Sequence, residues 1–368
     1  MSASSRIAIL GAGSLRGRQL NDVLADSAFA GSDFLLMDDE EELGKLESIG
    51  DEVTFIQRIT PDSFAGVDFA FFAGAPDLTR RHWRSAEQAG ASIVDLSYGL
   101  EGEAGVPVRA PWISSPPVSL PGISSRIRSS IGGGREAETT ERAQEPGLHT
   151  SAVVSAHPAA LSLALLARGL QGAGSVRRIV ATVLEPSSEY GRAAMDELHR
   201  QTVGLLSFQT VPREVYGLQV AFNSVTAAGE ESKVDLGESE ERIRRHYAQL
   251  SAGALPGLSL QLVHAPVFHG HAFSVAAEYE SEVSLERVEA SLAGAHIEIV
   301  REEEDAPSNL TAAGQENLLV RLRLDERNAV RSRTLQIWAA SDNLRIAAAN
   351  AVECAGELGR LRPRGEVQ

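Results

Sequence analysis

Cysteine is almost absent from this sequence, since its 368 residues include only Cys354. A single cysteine excludes a disulfide within the chain and a metal site built from several cysteines. Positive charge is also scarce: 34 lysines and arginines stand against 50 aspartates and glutamates, for a formal net charge of −16. Nucleic acids and anionic membranes bind basic surfaces, so neither is expected as a partner.

Long apolar runs are missing as well. The longest, at about 159–167, contains Ser162 and stops at Arg168, well short of the roughly 20 apolar residues that span a bilayer. The first residues lack the charged and then apolar pattern of a signal peptide. We therefore expect a cytoplasmic protein. The 43% hydrophobic content and 33 glycines are typical of a soluble α/β protein.

The order of patterns along the chain predicts two domains. Buried strands alternate with helices at the start, which favours a Rossmann-like parallel sheet over 1–150. Within it, 114–150 is rich in Ser, Pro, Gly and charge and is predicted to be a flexible loop or insertion. Longer strands over 151–338 predict an α+β domain with a mostly antiparallel or mixed sheet. The closing segment, 339–368, is predicted to be a helix that packs back on the first domain.

A glycine-rich loop follows the first predicted strand. "GAGSLRG" places Gly11, Gly13 and Gly17 between a strand and a helix. Such a turn lets backbone N–H groups approach a pyrophosphate at a helix N-terminus. The spacing GxGxxxG departs from the usual dinucleotide pattern, so a plain strand–helix turn that no longer binds a cofactor stays open. The candidate cofactor contacts here are Gly11, Gly13, Ser14, Gly17, Ala73 and Gly74.

The next predicted strand ends in the acidic stretch "MDDEEE". Asp38 is positioned to accept hydrogen bonds from a ribose diol. A 2′-phosphate would meet a repulsive field there. If a cofactor binds, NAD is therefore favoured over NADP, and a solvated acidic turn is the alternative.

Three histidines, His264, His269 and His271, fall within "HAPVFHGH". On a strand, His269 and His271 would face the same side, but no matching Asp, Glu or Cys completes a metal site. No metal is expected. A single histidine that acts as an acid or base near neutral pH is the better use of this signal, and buried structural histidines are the alternative.

Several stretches together resemble the aspartate-semialdehyde dehydrogenase family. They are "ILGAGSLRG", "FFAGAPDLTRRHWRSAEQAGASIVDLS", "ATVLEPSSEYGRAAMDELHRQTVGLL", "LQVAFN", "APVFHGHAFSV" and "QIWAASDNLRIAAANAVECAGEL". The matches are collinear and cover most of the chain outside about 114–150. The resemblance implies a Rossmann-like domain, a dimerisation domain and reductive dephosphorylation of aspartyl phosphate with NADPH through a cysteine thioester.

Residue by residue, the resemblance implies that much of this chemistry is lost. Ala160 takes the place of the nucleophilic cysteine, and His264 that of the arginine that grips the substrate carboxylate. His271 falls on the acid/base histidine, now vestigial if the chemistry is gone, and Asn343 would lie near the nicotinamide. Glu241 could stand in for a glutamate of the family's glutamate–lysine pair.

The pattern is similar to a branch of the family that lacks the catalytic cysteine. We expect a homodimer that is inactive in the family reaction and still binds NAD or NADP. Three alternatives remain: an active oxidoreductase that transfers hydride directly with His271 as acid/base, a partner that forms mixed dimers with an active paralogue, and, most remotely, a metal-dependent hydrolase that uses the three clustered histidines.

Overall fold

A computed structural model describes residues 5–38, 44–49, 52–114, 150–294, 296–301, 303–325 and 330–361. The predicted loop at 114–150 lies outside the described residues except for its two end positions. The acidic stretch after Asp38 also lies outside them.

Seven parallel strands form the first sheet. From edge to edge it runs through Gln57–Arg58 (β5), Asp33–Asp38 (β2), Arg6–Leu10 (β1), Phe69–Phe72 (β6), Ser92–Asp95 (β7), Ala152–Ser155 (β9) and Val108–Arg109 (β8). A separate hairpin pairs Leu46–Ile49 (β3) with Glu52–Phe55 (β4). The central strands are apolar on both faces because helices cover both sides of a parallel sheet.

Helices from the two ends of the chain share one face of this sheet. Leu15–Ala25 (α1) and Asn343–Leu361 (α8) pack on each other and bury one side of β1, while Pro76–Gln88 (α2) covers the other side. A short helix, Pro111–Ser114 (α3), contacts α8. The closing helix thus completes the core of the first domain.

The second sheet has six strands of mixed direction. Its order is Leu258–His264 (β11), Val176–Glu185 (β10), His271–Val283 (β12), Ser332–Ser341 (β15), Leu318–Leu324 (β14) and Ile297–Ile299 (β13). The β10–β11 and β13–β14 pairs are parallel and the other three are antiparallel. The predicted fold class, a Rossmann-like parallel sheet followed by a domain with a mixed sheet, is confirmed.

One face of the second sheet is covered by helices. Pro158–Ala173 (α4), Leu236–Ser251 (α6) and Leu285–Leu292 (α7) share a core with the inward residues of β10 and β12. A fourth helix, Arg192–Leu206 (α5), packs on the segment around Tyr216. The opposite face exposes Val180 and Trp338, with relative exposures of 41% and 39%. Among the described residues, no helix is both long and apolar enough to cross a membrane.

Candidate functional site

Polar side chains form a row across four strands at one end of the second sheet. The strand registers pair Glu185 with His264 and His271 with Ser341, and the β10–β12 register continues to bring Glu185 opposite His271. Directly opposed residues of neighbouring strands point to the same face. Four adjacent strands therefore present polar groups at one level, which we call the polar row: His264, Glu185, His271 and Ser341.

The polar row marks a sharp change on the helix-covered face. One level deeper, the same four strands carry only apolar side chains: Leu262, Val183, Phe273 and Ala339. All four row residues are fully buried, yet both ring nitrogens of each histidine, Glu185 Oε1 and Ser341 Oγ have no hydrogen-bond partner in the part of the chain that the structure describes. Buried polar groups without partners are rare and destabilising, so the row has the character of a functional site.

Burial sets the charge of the row. It lowers the pKa of His264 and of His271 to about 4, so both imidazoles are neutral at pH 7. Burial, assisted by the nearby Glu189 carboxylate, raises the pKa of Glu185 to about 8. Glu185 is therefore protonated at pH 7, and the row carries no formal charge.

Glu189 joins both domains just above the row. Its Oε1 accepts a hydrogen bond from the Arg16 guanidinium on α1 at 2.8 Å and lies 3.4 Å from His157 Nε2. Its Oε2 accepts from Asn343 Nδ2 at 3.0 Å. Burial opposes ionisation of this carboxyl, but the neighbouring His157 and Arg16 outweigh it and lower the pKa of Glu189 to about 2.

Asn343, which the resemblance places near a nicotinamide, is fully buried and hydrogen-bonded within the protein. Its Oδ1 accepts hydrogen bonds from Ser188 Oγ at 3.1 Å and from the Gly270 N–H at 3.0 Å. With Nδ2 bound to Glu189, the amide holds the start of α8 against the second domain. Asp342, one residue earlier, accepts from the N–H groups of Leu344 and Arg345 and so caps α8.

The start of α4, which the resemblance assigns to the nucleophile, is closed by His157. Its Nδ1 accepts the Ala159 N–H at 3.2 Å, and its ring stacks on Tyr98 at 5.6 Å between centroids. The hydrogen-bond pattern therefore places the proton on Nε2, facing Glu189. Ala160 is fully buried in this first turn and offers only a methyl group.

A second histidine braces this turn from α6. His246 Nδ1 accepts the His157 backbone N–H at 2.8 Å, while its Nε2 faces Glu101 Oε1 at 2.5 Å. Glu101 also accepts from Arg242 Nε at 2.8 Å. Although burial alone would raise it, these donors lower the pKa of Glu101 to about 2. The bracing chain Glu101–His246–His157 fixes the direction in which α4 begins.

The glycine loop is tightly packed against the turn after β6. Gly11 has φ of 78°, and a Cβ there would lie 2.2 Å from the Gly74 Cα. A Cβ on Gly17 would lie 2.2 Å from the Gly11 carbonyl oxygen. Glycine is required at both positions by contacts within the protein, so these residues by themselves do not distinguish a cofactor loop from a packed turn.

The hydrogen bonds of the glycine loop show which of its polar groups could meet a cofactor. The Gly13 N–H donates to Asp38 Oδ2 at 2.9 Å, which holds that carboxylate at the end of β2. Ser14 caps α1: its Oγ accepts the Gly17 N–H and donates to the Ala73 carbonyl, each at 2.9 Å. By helix geometry, the N–H groups of Leu15 and Arg16 have no acceptor within α1. The loop therefore fits a nucleotide, with these amides toward a phosphate and Asp38 toward a ribose.

Other candidates lie away from this junction. Glu241 is exposed on α6, whereas Ser239, Ile243 and His246 form the buried side of that helix. His269 precedes β12, which begins only at His271, so the two are not neighbours on one strand face as a metal site would need. Among the described residues, no group of three or more potential ligands could hold a metal ion.

Cys354 is buried in α8, with Sγ 3.7 Å from the Arg109 carbonyl oxygen. Burial raises the pKa of this thiol well above its usual value. It is therefore a protonated side chain of the first-domain core and not a thiolate nucleophile.

Two family profiles match the chain. Residues 6–116 match the NAD binding domain of semialdehyde dehydrogenases, and residues 168–346 match their dimerisation domain. The chain belongs to the semialdehyde dehydrogenase family. The first match contains the glycine loop and Asp38, and the second contains the polar row and Asn343.

Relatives of the family align along nearly the whole chain. The aspartate-semialdehyde dehydrogenase of Rickettsia bellii is 25% identical over 97% of this chain and 98% of its own. The USG-1 protein homolog of Pseudomonas aeruginosa is 27% identical over 97% and 98%. The structure of aspartate semialdehyde dehydrogenase II from Vibrio cholerae has a TM-score of 0.78 at 22% identity, over 98% of this chain and 100% of that one. At this identity the structural likeness shows a shared fold.

Sequence reasoning found His264, His271 and Asn343 but missed the neighbouring site residues Glu185, Glu189, Arg16, His157 and His246. One signal was available. A histidine three residues after Ile243, on the buried side of an amphipathic helix, indicates a satisfied interior contact. No local signal marked Glu189, because its partners lie 154 and 173 residues away.

Proposed function

We propose that this chain is a semialdehyde dehydrogenase homologue that does not catalyse the thioester-based reductive dephosphorylation of aspartyl phosphate. The main support is Ala160, whose buried methyl group lies in the first turn of α4. The resemblance to the family puts the nucleophilic cysteine at this position. An alanine cannot form an acyl intermediate. Loss of a covalent nucleophile typically lowers turnover by about 10⁴–10⁶.

Neighbouring hydroxyls do not replace the missing thiol. Ser155 Oγ is bonded to Asn350 Nδ2 at 2.8 Å. Within the described ranges, Ser162 Oγ and both nitrogens of His271 have no hydrogen-bond partner, so they do not form a nucleophile–base pair with each other. A serine needs such a base to attack a carbonyl group. These contacts support loss of the covalent route.

The test is phosphate-dependent oxidation of aspartate semialdehyde with NAD and with NADP, beside the Vibrio cholerae enzyme as positive control. We expect turnover at least about 10⁴-fold lower. The Ala160→Cys variant should not recover it, because His264 cannot form the two-pronged ion pair with a carboxylate that arginine forms. Turnover of the unmodified protein within tenfold of the control would refute the proposal.

We further propose that the first domain binds NAD in preference to NADP. The support is the Gly13–Asp38 hydrogen bond, which fixes a carboxylate where a ribose 2′-substituent would lie. A 2′-phosphate would be repelled by that carboxylate. Asp38→Asn keeps an oxygen acceptor for Gly13 and removes the charge, so calorimetry should show weaker discrimination against NADP. Tighter binding of NADP than of NAD by the unmodified protein would contradict this.

A second candidate function is oxidoreduction by direct hydride transfer, with His271 moving the proton. The observation that favours it is an uncharged imidazole with both nitrogens unpartnered beside the start of α4. A screen of oxo acids with NADH tests this, with His271→Ala as the negative control. Turnover that survives this substitution would remove His271 from the reaction.

We propose that the exposed face of the second sheet forms a homodimer. Val180 and Trp338 are large apolar side chains exposed on the sheet face opposite the helices, and the matched profile describes a dimerisation domain. Val180→Glu should shift the mass in light scattering toward a monomer, whereas Leu206→Glu, on exposed α5, should not. A monomeric unmodified protein that pairs only with an active paralogue would instead support mixed dimers.

A further inference from the structure

At the β11 end of the polar row, aromatic and hydroxyl side chains surround His264. The Tyr216 ring lies 4.7 Å from the His264 ring, and the Tyr190 ring lies 6.2 Å from it. The Tyr190 hydroxyl donates a hydrogen bond to Glu185 Oε2, and Ser187 lies beside the Tyr216 hydroxyl. Glu185 is the cross-strand neighbour of His264, so these groups form one cluster.

Hydrogen-bonding capacity in this cluster is left unused. Among the described residues, Glu185 Oε1 and both nitrogens of His264 have no hydrogen-bond partner, and the hydroxyls of Ser187 and Tyr216 interact with each other but with no further partner. The four residues that carry these atoms are each at most 1% exposed. A protonated carboxyl group and a neutral imidazole each provide one donor and one acceptor, and each hydroxyl can do either. The cluster therefore offers both donors and acceptors without a formal charge.

The nearest cations are already paired with carboxylates of the protein. Arg16 binds Glu189, and Arg242 binds Glu101 at 2.8 Å. An anionic group that entered the cluster would leave water without gaining an unpaired cation and would lie near the ionised Glu189. Removing a charge from water without such a partner is strongly unfavourable.

We propose that Glu185, Ser187, Tyr216 and His264 form a subsite for a small uncharged hydrogen-bonding group, such as a carboxamide, and reject the isosteric carboxylate. A carboxamide supplies two N–H donors and a carbonyl acceptor, which match the mixed donors and acceptors of the cluster. The inference deepens the proposed function and rests on it, because it assigns a ligand class to a site that no longer runs the family reaction.

The test compares propionamide with propionate, two probes of the same shape that differ in charge. In ligand-observed NMR titrations of the full-length protein at pH 7, propionamide should bind at least about tenfold more tightly than propionate, because the propionate charge would have no cation as its partner. His264→Arg adds a guanidinium and should reverse the preference. His199→Arg, on the exposed side of α5, adds the same charge elsewhere and should leave it unchanged.

A milder variant protects the test against misfolding. Tyr216→Phe keeps the ring against His264 and removes one hydroxyl, so propionamide binding should weaken about fivefold while the melting temperature stays close to that of the unmodified protein. Equal or tighter binding of propionate, or binding of neither probe with only ordered water in the cluster, would overturn the inference. Neither outcome would change the result expected for semialdehyde turnover, so failure of the carboxamide subsite can be distinguished from failure of the proposed function.

Discussion

Replacing Glu189 by glutamine should strongly destabilise this protein, although the two side chains have nearly the same shape. Glu189 accepts hydrogen bonds from Arg16 and Asn343, and a third donor, His157 Nε2, faces it. All three partners are donors. A glutamine has only one oxygen acceptor, so its NH₂ group must face a donor, and the buried guanidinium of Arg16 loses its counter-charge.

The loss of stability can be worked out from the buried ion pair and from the pKa of Glu189. Removing one member of a buried ion pair typically costs about 3–5 kcal/mol, and the side chains of Arg16 and Glu189 are only 18% and 4% exposed. The same ion pair also helps to lower the pKa of Glu189 from an ordinary 4.5 to about 2, a shift that corresponds to about 3 kcal/mol of stabilisation at pH 7. We therefore expect the free energy of unfolding to fall by about 3 kcal/mol.

Urea unfolding followed by circular dichroism and by fluorescence measures this loss, and coincidence of the two curves tests whether one transition is involved. Glu103→Gln is the matched control, since its ion pair with Arg84 is 41% and 56% exposed, and should cost less than about 1 kcal/mol. A carboxyl with a depressed pKa stabilises the fold above its unfolded pKa. The difference between Glu189→Gln and the unmodified protein should thus narrow as pH falls below about 4.5 toward 2. A loss no larger than that of Glu103→Gln would refute this account of the site.

Three further outcomes are expected. Because the pKa of Glu185 is raised to about 8, the unmodified protein should lose stability as pH rises from 4.5 to 8, and Glu185→Gln should remove this loss. Urea titrations across that pH range measure it; a difference in unfolding free energy between the two proteins that does not change with pH would contradict the raised pKa. Gly11→Ala should abolish nucleotide binding in calorimetry and lower the melting temperature, since its Cβ would clash with the turn after β6, whereas Gly31→Ala meets no atom within 4 Å and should do neither. His246→Phe should lower the free energy of unfolding by about 1–3 kcal/mol, because it removes one of the donors to Glu101 and leaves the buried His157 N–H without its acceptor; an unchanged urea midpoint would show that these contacts do not stabilise the fold.

Local patterns in the sequence were enough for much of the fold. The strand–glycine–helix opening predicted β1 and α1, and the closing "RTLQIWAASDNL" predicted β15 followed by α8. Strand β14 was missed, although the apolar run "LLVRLRL" follows the turn residues Pro307, Asn309 and Gly314, a pattern readable from sequence. Helix α7 was also missed, although Ser284 accepts the Arg287 N–H as its N-cap, a pattern readable from sequence.

The site could be predicted only in part, because its geometry depends on strand register. His264 and His271 stand seven residues apart in sequence, and nothing local shows that β10 runs between their strands and places Glu185 among them. Register is set by long-range pairing and by which face is buried. The opposite ionisation of Glu185 and Glu189, four residues apart, likewise follows from their surroundings and has no counterpart in sequence.

The charges of the site bear on the proposal that Ala160 replaces a nucleophilic cysteine. An enzyme that handles an acyl phosphate with a carboxylate needs positive charge that is not already neutralised. Here Arg16 is paired with Glu189 and Arg242 with Glu101, while burial keeps His264 and His271 neutral. On that proposal, Ala160→Cys would add a nucleophile to a site in which Arg16 and Arg242 are already paired with carboxylates. Recovery of the family reaction should therefore require an unpaired guanidinium as well as a thiol, and the combination of Ala160→Cys with His264→Arg is the smallest change that supplies both.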